Sequence, residues 1–215
     1  MEIIPAIIGQ NFSEVEEKLK ILEGWSNWVH LDILDGRFSP QISWRTPDDL
    51  SFLGGQTKVE AHLMVQSPEE VVGEWFAVAD RVLVHVEATS HLDEVLDFFD
   101  GRVVEPGLVF NLTTPLEQFE KLLERVRTVQ LMAINEIGAQ GHPFNEQVFE
   151  KIKVLRTIAP NVKIQVDGGV TFDNAEQLID SGADRLVVGS AIWRADDPLV
   201  ALKKFQSYAS TRGQA

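Results

Sequence analysis

The chain has no cysteine, one tyrosine and three methionines in 215 residues. Structural disulfides and thiolate chemistry are therefore excluded. Positive charge is also scarce: 19 Lys and Arg stand against 33 Asp and Glu, for a net charge of -14. Nonspecific nucleic-acid binding needs Lys and Arg to displace counterions, so no nucleic-acid partner is expected. A small anionic substrate stays open, because backbone amides at loops and helix N-termini hold a phosphate without basic side chains. No apolar run approaches the roughly 20 residues of a membrane span. The opening "MEIIPAIIGQ" lacks the basic leader and cleavage pattern of a signal peptide. A cytoplasmic protein without a membrane partner is the expectation.

The remainder is ordinary globular composition, 44% hydrophobic and 24% charged. Short apolar runs alternate with amphipathic patterns along the whole length. Strands are expected near 3–7, 28–33, 59–64, 82–86, 107–110, 129–134, 162–166 and 185–188. Helices are expected near 14–22, 47–53, 69–78, 92–99, 116–126, 146–158, 173–180 and 198–207. Four helix starts place a capping side chain before proline: Thr46, Ser67, Thr114 and Asp197. "SEVE" from Ser13 offers a capping box without proline, and Gly24 and Gly182 follow periodic runs as helix stops. Near-continuous apolar strands imply a parallel sheet covered on both faces. Eight strand–helix units in this length favour a closed (β/α)8 TIM barrel over an open doubly wound sheet. No linker or composition shift divides the chain, so one domain over 1–215 is the simplest organisation.

"VHLDILDG" (29–36) contradicts its own apolar character. Val29, Leu31 and Ile33 share one parity; His30, Asp32 and Leu34 share the other. "KVEAHLMV" repeats the pattern with Glu60, His62 and Met64, "LVHVEA" with His85 and Glu87, and "KIQVDGG" ends in Asp167. Each polar group sits late in its strand, where a barrel builds its active site. One buried histidine is ordinary; His30, Asp32, His62 and Asp167 converging from three strands would be costly without a partner. A divalent cation removes that cost, and two imidazoles with two carboxylates suit Zn²⁺, Fe²⁺, Mn²⁺ or Co²⁺. Glycine-bearing stretches follow the last three strands. Amides of Gly168, Gly169, Gly189 and Ser190 are placed to hold a phosphate, with Gly138 and Gly141 as lid contributors.

The ordered set "HLDILDGRFSP", "EAHLM", "HVEA", "VDGG" and "GSAIW" resembles the ribulose-phosphate 3-epimerase family over essentially the whole chain. The resemblance implies a (β/α)8 barrel, a divalent metal, and interconversion of ribulose 5-phosphate and xylulose 5-phosphate. It maps the metal ligands onto His30, Asp32, His62 and Asp167, with Asp32 and Asp167 also the acid–base pair. Met64 and Met132 match the methionines beside the reacting centre, and Leu34 stands where another methionine is usual. A homo-oligomer acting on a sugar phosphate is expected. The chain departs from the family pattern at Ala6 in "PAII", at Gln41, and in "NEIGAQGHPF" (135–144) after the sixth strand. Those departures leave open another ketose phosphate such as allulose 6-phosphate, or a non-catalytic sugar-phosphate binder. A hexulose-phosphate synthase-like lyase is disfavoured, since no strand offers an inward lysine beside Asp32 or His62.

Overall fold

Eight parallel strands close on one another in chain order. They are β1 (Glu2–Ile7), β2 (Trp28–Leu34), β3 (Lys58–Met64), β4 (Arg81–His85), β5 (Glu105–Phe110), β6 (Thr128–Met132), β7 (Lys163–Asp167) and β8 (Arg185–Val188). β1 pairs with both β2 and β8, which completes the barrel. The computed structural model describes residues 1–52, 57–138 and 141–210. All eight expected strands are present, each within two residues of its expected bounds.

The pleat sorts each strand into two faces. Outward residues such as Val29, Leu31, Ala61, Leu63, Val129 and Leu131 join the large core between barrel and outer layer. Inward residues are of another kind. Two small apolar groups, one of Leu83, Val109, Met132 and Ile134 and one of Ile4, Ala6 and Val187, flank a polar interior. Register sets that interior: His30 lies opposite Glu60, Asp32 opposite His62, Gln130 opposite Gln165 and Met132 opposite Asp167. Below it, Arg81 is bonded to Glu60 and Glu105. Arg185 reaches Glu2 and Thr128 near the N-terminal end of the barrel.

The outer layer is less regular than periodicity implies. Helices α1 (Phe12–Leu22), α2 (Leu92–Asp97), α3 (Glu120–Leu123), α4 (Gln147–Ile158), α5 (Phe172–Asp180), α6 (Ser190–Trp193) and α7 (Pro198–Ser210) are joined by 3₁₀ turns. The expected helix over 69–78 is instead two such turns, Pro68–Glu70 and Val72–Ala77. Ser67, assigned as its cap, has φ 55° and makes no capping hydrogen bond. The segment carries Val71, Val72 and Gly73, all poor helix formers, and Trp75 anchors it by burial instead. Over 116–126 only the 3₁₀ turn Glu117–Phe119 and the single turn of α3 form. Thr114 does not cap that segment, because its hydroxyl donates to Glu87. Over 47–53 a 3₁₀ turn spans Pro47–Phe52, and Leu53 lies outside the described residues.

Caps elsewhere behave as local chemistry demands. Asp197 accepts from the amides of Leu199 and Val200 at 2.9 and 3.1 Å. The box of α1 starts two residues before Ser13: Asn11 accepts from the Glu14 amide at 3.1 Å, and Glu14 reaches back to the Gln10 amide at 2.9 Å. At the end of α5, Gly182 takes φ +108° and its amide bonds Ile179 O, while Ala183 bonds Leu178 O, a Schellman stop. Among the described residues no helix is long and apolar enough to cross a membrane.

α4 also supplies a pH-dependent contact. Lys151 Nζ donates to the carbonyls of Asn111 at 2.5 Å and Thr114 at 2.7 Å. Burial pushes its pKa down from 10.5 to about 8, against the pull of Glu87 and Glu117. Between those values the unfolded chain binds more protons than the folded one, so this group makes stability rise with pH over that window. Urea unfolding of wild type and Lys151→Met at pH 8 and pH 10.5 checks it. The wild type is expected to gain more stability across the window than the variant.

Candidate active site

The polar interior is built on β2 and β3. His30 and His62 are fully buried, while Asp32 and Asp167 keep 11% and 13% exposure at the mouth. His30 Nδ1 lies 2.6 Å from Glu60 Oε1. Its Nε2 faces the centre, 3.2 Å from Asp32 Oδ1 and 3.1 Å from His62 Nδ1. His62 Nδ1 is 3.2 Å from Asp32 Oδ1 and 3.5 Å from Asp167 Oδ2. Gln130 donates to Asp167 Oδ2 at 2.9 Å, and Gln165 donates to both Glu60 and Gln130. One donor atom from each of His30, Asp32, His62 and Asp167 lies within 4.8 Å of the other three.

Two imidazole nitrogens and two carboxylates this close require positive charge among them. Burial disfavours a charged His30, but the hydrogen bonds and charges of Asp32 and Glu60 outweigh it and raise its pKa well above the ordinary value. The donor set also fits a divalent cation of the kind that accepts mixed nitrogen and oxygen ligands. The two aspartates are driven apart. Burial raises Asp32, yet the hydrogen bonds and charges of His30 and His62 hold it far below the usual carboxylate range. Burial lifts Asp167 to about 6, with the two imidazoles opposing and the Asp32 charge adding to the rise.

Above this centre opens a cleft lined by Ala6, Asp32, Met64, Met132, Asp167 and the glycine loops. All six residues expected at the phosphate, Gly138, Gly141, Gly168, Gly169, Gly189 and Ser190, border the same cleft, as does His142. Leu34 is fully buried instead, its Cδ2 only 2.8 Å from where a Cβ on Gly138 would lie. Of the 135–144 loop, residues 139–140 lie outside the described residues. The Arg194 guanidinium packs against Gly141. Gly169 shows why these loops are glycine-bearing. It holds φ +66°, and a Cβ there would stand 2.7 Å from Phe144 Cα and 2.8 Å from Phe144 N. Gly169→Ala is therefore expected to displace the loop and raise KM several-fold more than it lowers kcat, as steady-state kinetics would read.

Several partners carry no assigned role from sequence alone. Glu60, Gln130 and Gln165 each sit two residues before a site residue on the same strand, so inward parity was their only signal. Arg81 begins β4 and lies in register beside Glu60 on the neighbouring strand β3, to which it donates at 2.5 Å, a pairing set by strand register.

A parallel eight-stranded barrel whose strand ends converge two histidines and two aspartates beneath a glycine-lined cleft defines a class: a TIM-barrel enzyme with a candidate metal centre. The ribulose-phosphate 3 epimerase family model matches residues 2–193, and the chain belongs to that family. It is 36% identical over 211 residues to the chloroplastic ribulose-5-phosphate-3-epimerase of Arabidopsis thaliana, covering 94% of this chain and 74% of that protein. It is 34% identical over 203 residues to the ribulose-phosphate 3-epimerase of Synechocystis, covering 90% and 87%. Among solved structures, 3-hexulose-6-phosphate synthase from Salmonella typhimurium shares the fold with TM-score 0.73 at 14% identity, over 98% of this chain and 99% of that one. The protein is thus an epimerase of a metal-dependent family that acts on sugar phosphates.

Proposed function

We propose that the enzyme interconverts D-ribulose 5-phosphate and D-xylulose 5-phosphate, with Asp32 and Asp167 as the acid–base pair. The observation that carries this is the pairing of two partly exposed carboxylates, from the non-neighbouring strands β2 and β7, on one cleft above buried imidazoles. A hydrogen α to a ketone is weakly acidic, and epimerisation needs it removed from one face and returned to the other. One aspartate takes the proton at C3 while the second delivers one opposite, through an enediolate. His30, Asp32, His62 and Asp167 would hold one divalent ion, Zn, Fe, Mn or Co, which supplies electrophilic stabilisation of the developing negative charge. Met64 and Met132 line the reacting region with apolar, polarizable surface and help exclude water. Amides of Gly168, Gly169, Gly189 and Ser190 hold the phosphate, with the loop bearing Gly138 and Gly141 across it.

Ala6 and His142 favour a second reading, the same reaction on another ketose phosphate, because both border the cleft where the chain departs from the family pattern. A coupled assay decides between them, run with ribulose 5-phosphate and allulose 6-phosphate on protein treated with chelator and then resupplied with each metal. Turnover of ribulose 5-phosphate, lost on chelation and restored by one or more of the ions, is expected. A clear preference for allulose 6-phosphate moves the assignment to the second reading. Undiminished turnover in a metal-stripped protein overturns the metal's role.

A further inference from the structure

We propose that His85 and Glu87 are positioning residues that fix the tautomer of His62 through an imidazole–imidazole hydrogen bond. The inference rests on the metal-site reading above. His62 turns Nδ1 toward Asp32 and Asp167, so it would hold a metal ion through a bare lone pair on Nδ1. A neutral imidazole then carries its one hydrogen on Nε2. That nitrogen lies 2.9 Å from His85 Nε2, in the barrel interior where both rings are fully buried. Two nitrogens at this separation share one hydrogen, so His85 Nε2 accepts and its own hydrogen sits on Nδ1. His85 Nδ1 faces Glu87 Oε2 at 3.2 Å. The other oxygen, Glu87 Oε1, accepts from the Asn111 amide at 2.8 Å and from the Thr114 hydroxyl, which locks the carboxylate as an acceptor.

Packing holds the relay in line. The His62 and His85 rings are inclined by 22° with centroids 5.0 Å apart, and Phe38 covers His85 at 4.9 Å. Lys151 bonds the carbonyls of Asn111 and Thr114 and so braces the loop that grips Glu87. The two histidines of the centre are therefore oriented by different routes: His30 directly by the Glu60 carboxylate, His62 through a second imidazole. Partners of this kind hold a ligand ring in place and set its tautomer.

The test reads tautomers and metal affinity. In Zn²⁺-loaded protein labelled with ¹⁵N-histidine, His62 is expected as the Nε2–H form and His85 as the Nδ1–H form, the less common tautomer of free imidazole. His85→Leu removes the acceptor and is expected to weaken Co²⁺ binding by about 10–100-fold with an altered Co²⁺ absorption band. His85→Gln keeps an acceptor oxygen and is expected to restore most of the affinity. His62→Ala separates the two readings. If it binds Co²⁺ as well as wild type does, or wild type binds none, the metal site is wrongly assigned and the relay falls with it. If His62→Ala loses the metal while His85→Leu keeps wild-type affinity and spectrum, only the relay is overturned. Should His85→Leu fail to fold, the wild-type spectrum decides: an Nε2–H tautomer at His85 rejects the proposal.

Discussion

Asp32→Asn and Asp167→Asn are each expected to lower kcat for epimerisation by about 10²–10⁴-fold, the range supplied by a positioned acid or base. The substitution keeps the shape of the side chain and removes the proton-transferring oxygen. Both residues also belong to the candidate metal centre, so metal content is measured alongside, and loss of activity at full metal occupancy is the informative result. Deuterated water gives a sharper test. With one carboxylate serving each face, and each exchanging its proton with solvent, product formed early carries deuterium at C3 while recovered substrate stays unlabelled. A single base would label both pools or carry the substrate's own proton into product. Heavy early labelling of recovered substrate would sink the two-base assignment even in an active epimerase.

The second large effect is expected at Glu60. This fully buried carboxylate bonds His30 at 2.6 Å, Arg81 at 2.5 Å and Gln165 at 2.6 Å. Glu60→Ala strips the equally buried Arg81 of one of its two acidic partners and leaves Glu105, so about 3–5 kcal/mol of folding stability should be lost. Glu60→Gln keeps the volume and an acceptor oxygen and should lose less. The linkage has a definite sign. Burial alone would raise the Glu60 pKa, but the His30 hydrogen bond and the charges of His30 and Arg81 bring it from 4.5 to about 2. Its contribution is therefore complete above pH 4.5 and is lost as pH falls through about 2. Urea unfolding with chelator present should show the gap between wild type and Glu60→Gln narrowing over that interval. A gap that stays constant in acid would mean that Glu60 charge contributes nothing.

The barrel was legible because strand identity depends on short apolar runs, and eight of them leave few topologies. The four central residues were legible for a related reason: parity is a property of sequence, so His30 with Asp32 and His62 with Met64 had to share a face. What parity leaves out is the neighbour across the sheet. Nothing near Glu60 in sequence signals Arg81, which register with β4 brings beside it, or Gln165, whose approach from β7 needs the closed barrel. Helix starts failed where tertiary bonds claimed the capping side chain, as Glu87 claims Thr114. They succeeded at Asp197, whose partners are its own next amides. The phosphate loops were legible as glycine positions, but the reason for Gly169, the close approach of Phe144, belongs to the fold alone.

The division between an apolar shell outside the strands and a polar interior within them has an evolutionary side. A change at Leu131 or Ile164 meets only hydrocarbon between strand and outer layer, and a compensating change nearby can restore the volume. One residue along, Gln130 and Gln165 meet carboxylates and rings whose hydrogen bonds admit few substitutes. Adjacent positions on one strand therefore drift under different rules. The outer surface of the barrel can be rewritten step by step as growth temperature or partners change, while the inner one must change in concert. A lineage acquiring a new sugar would find its freedom at the rim, at positions such as Ala6 and His142, which border the cleft.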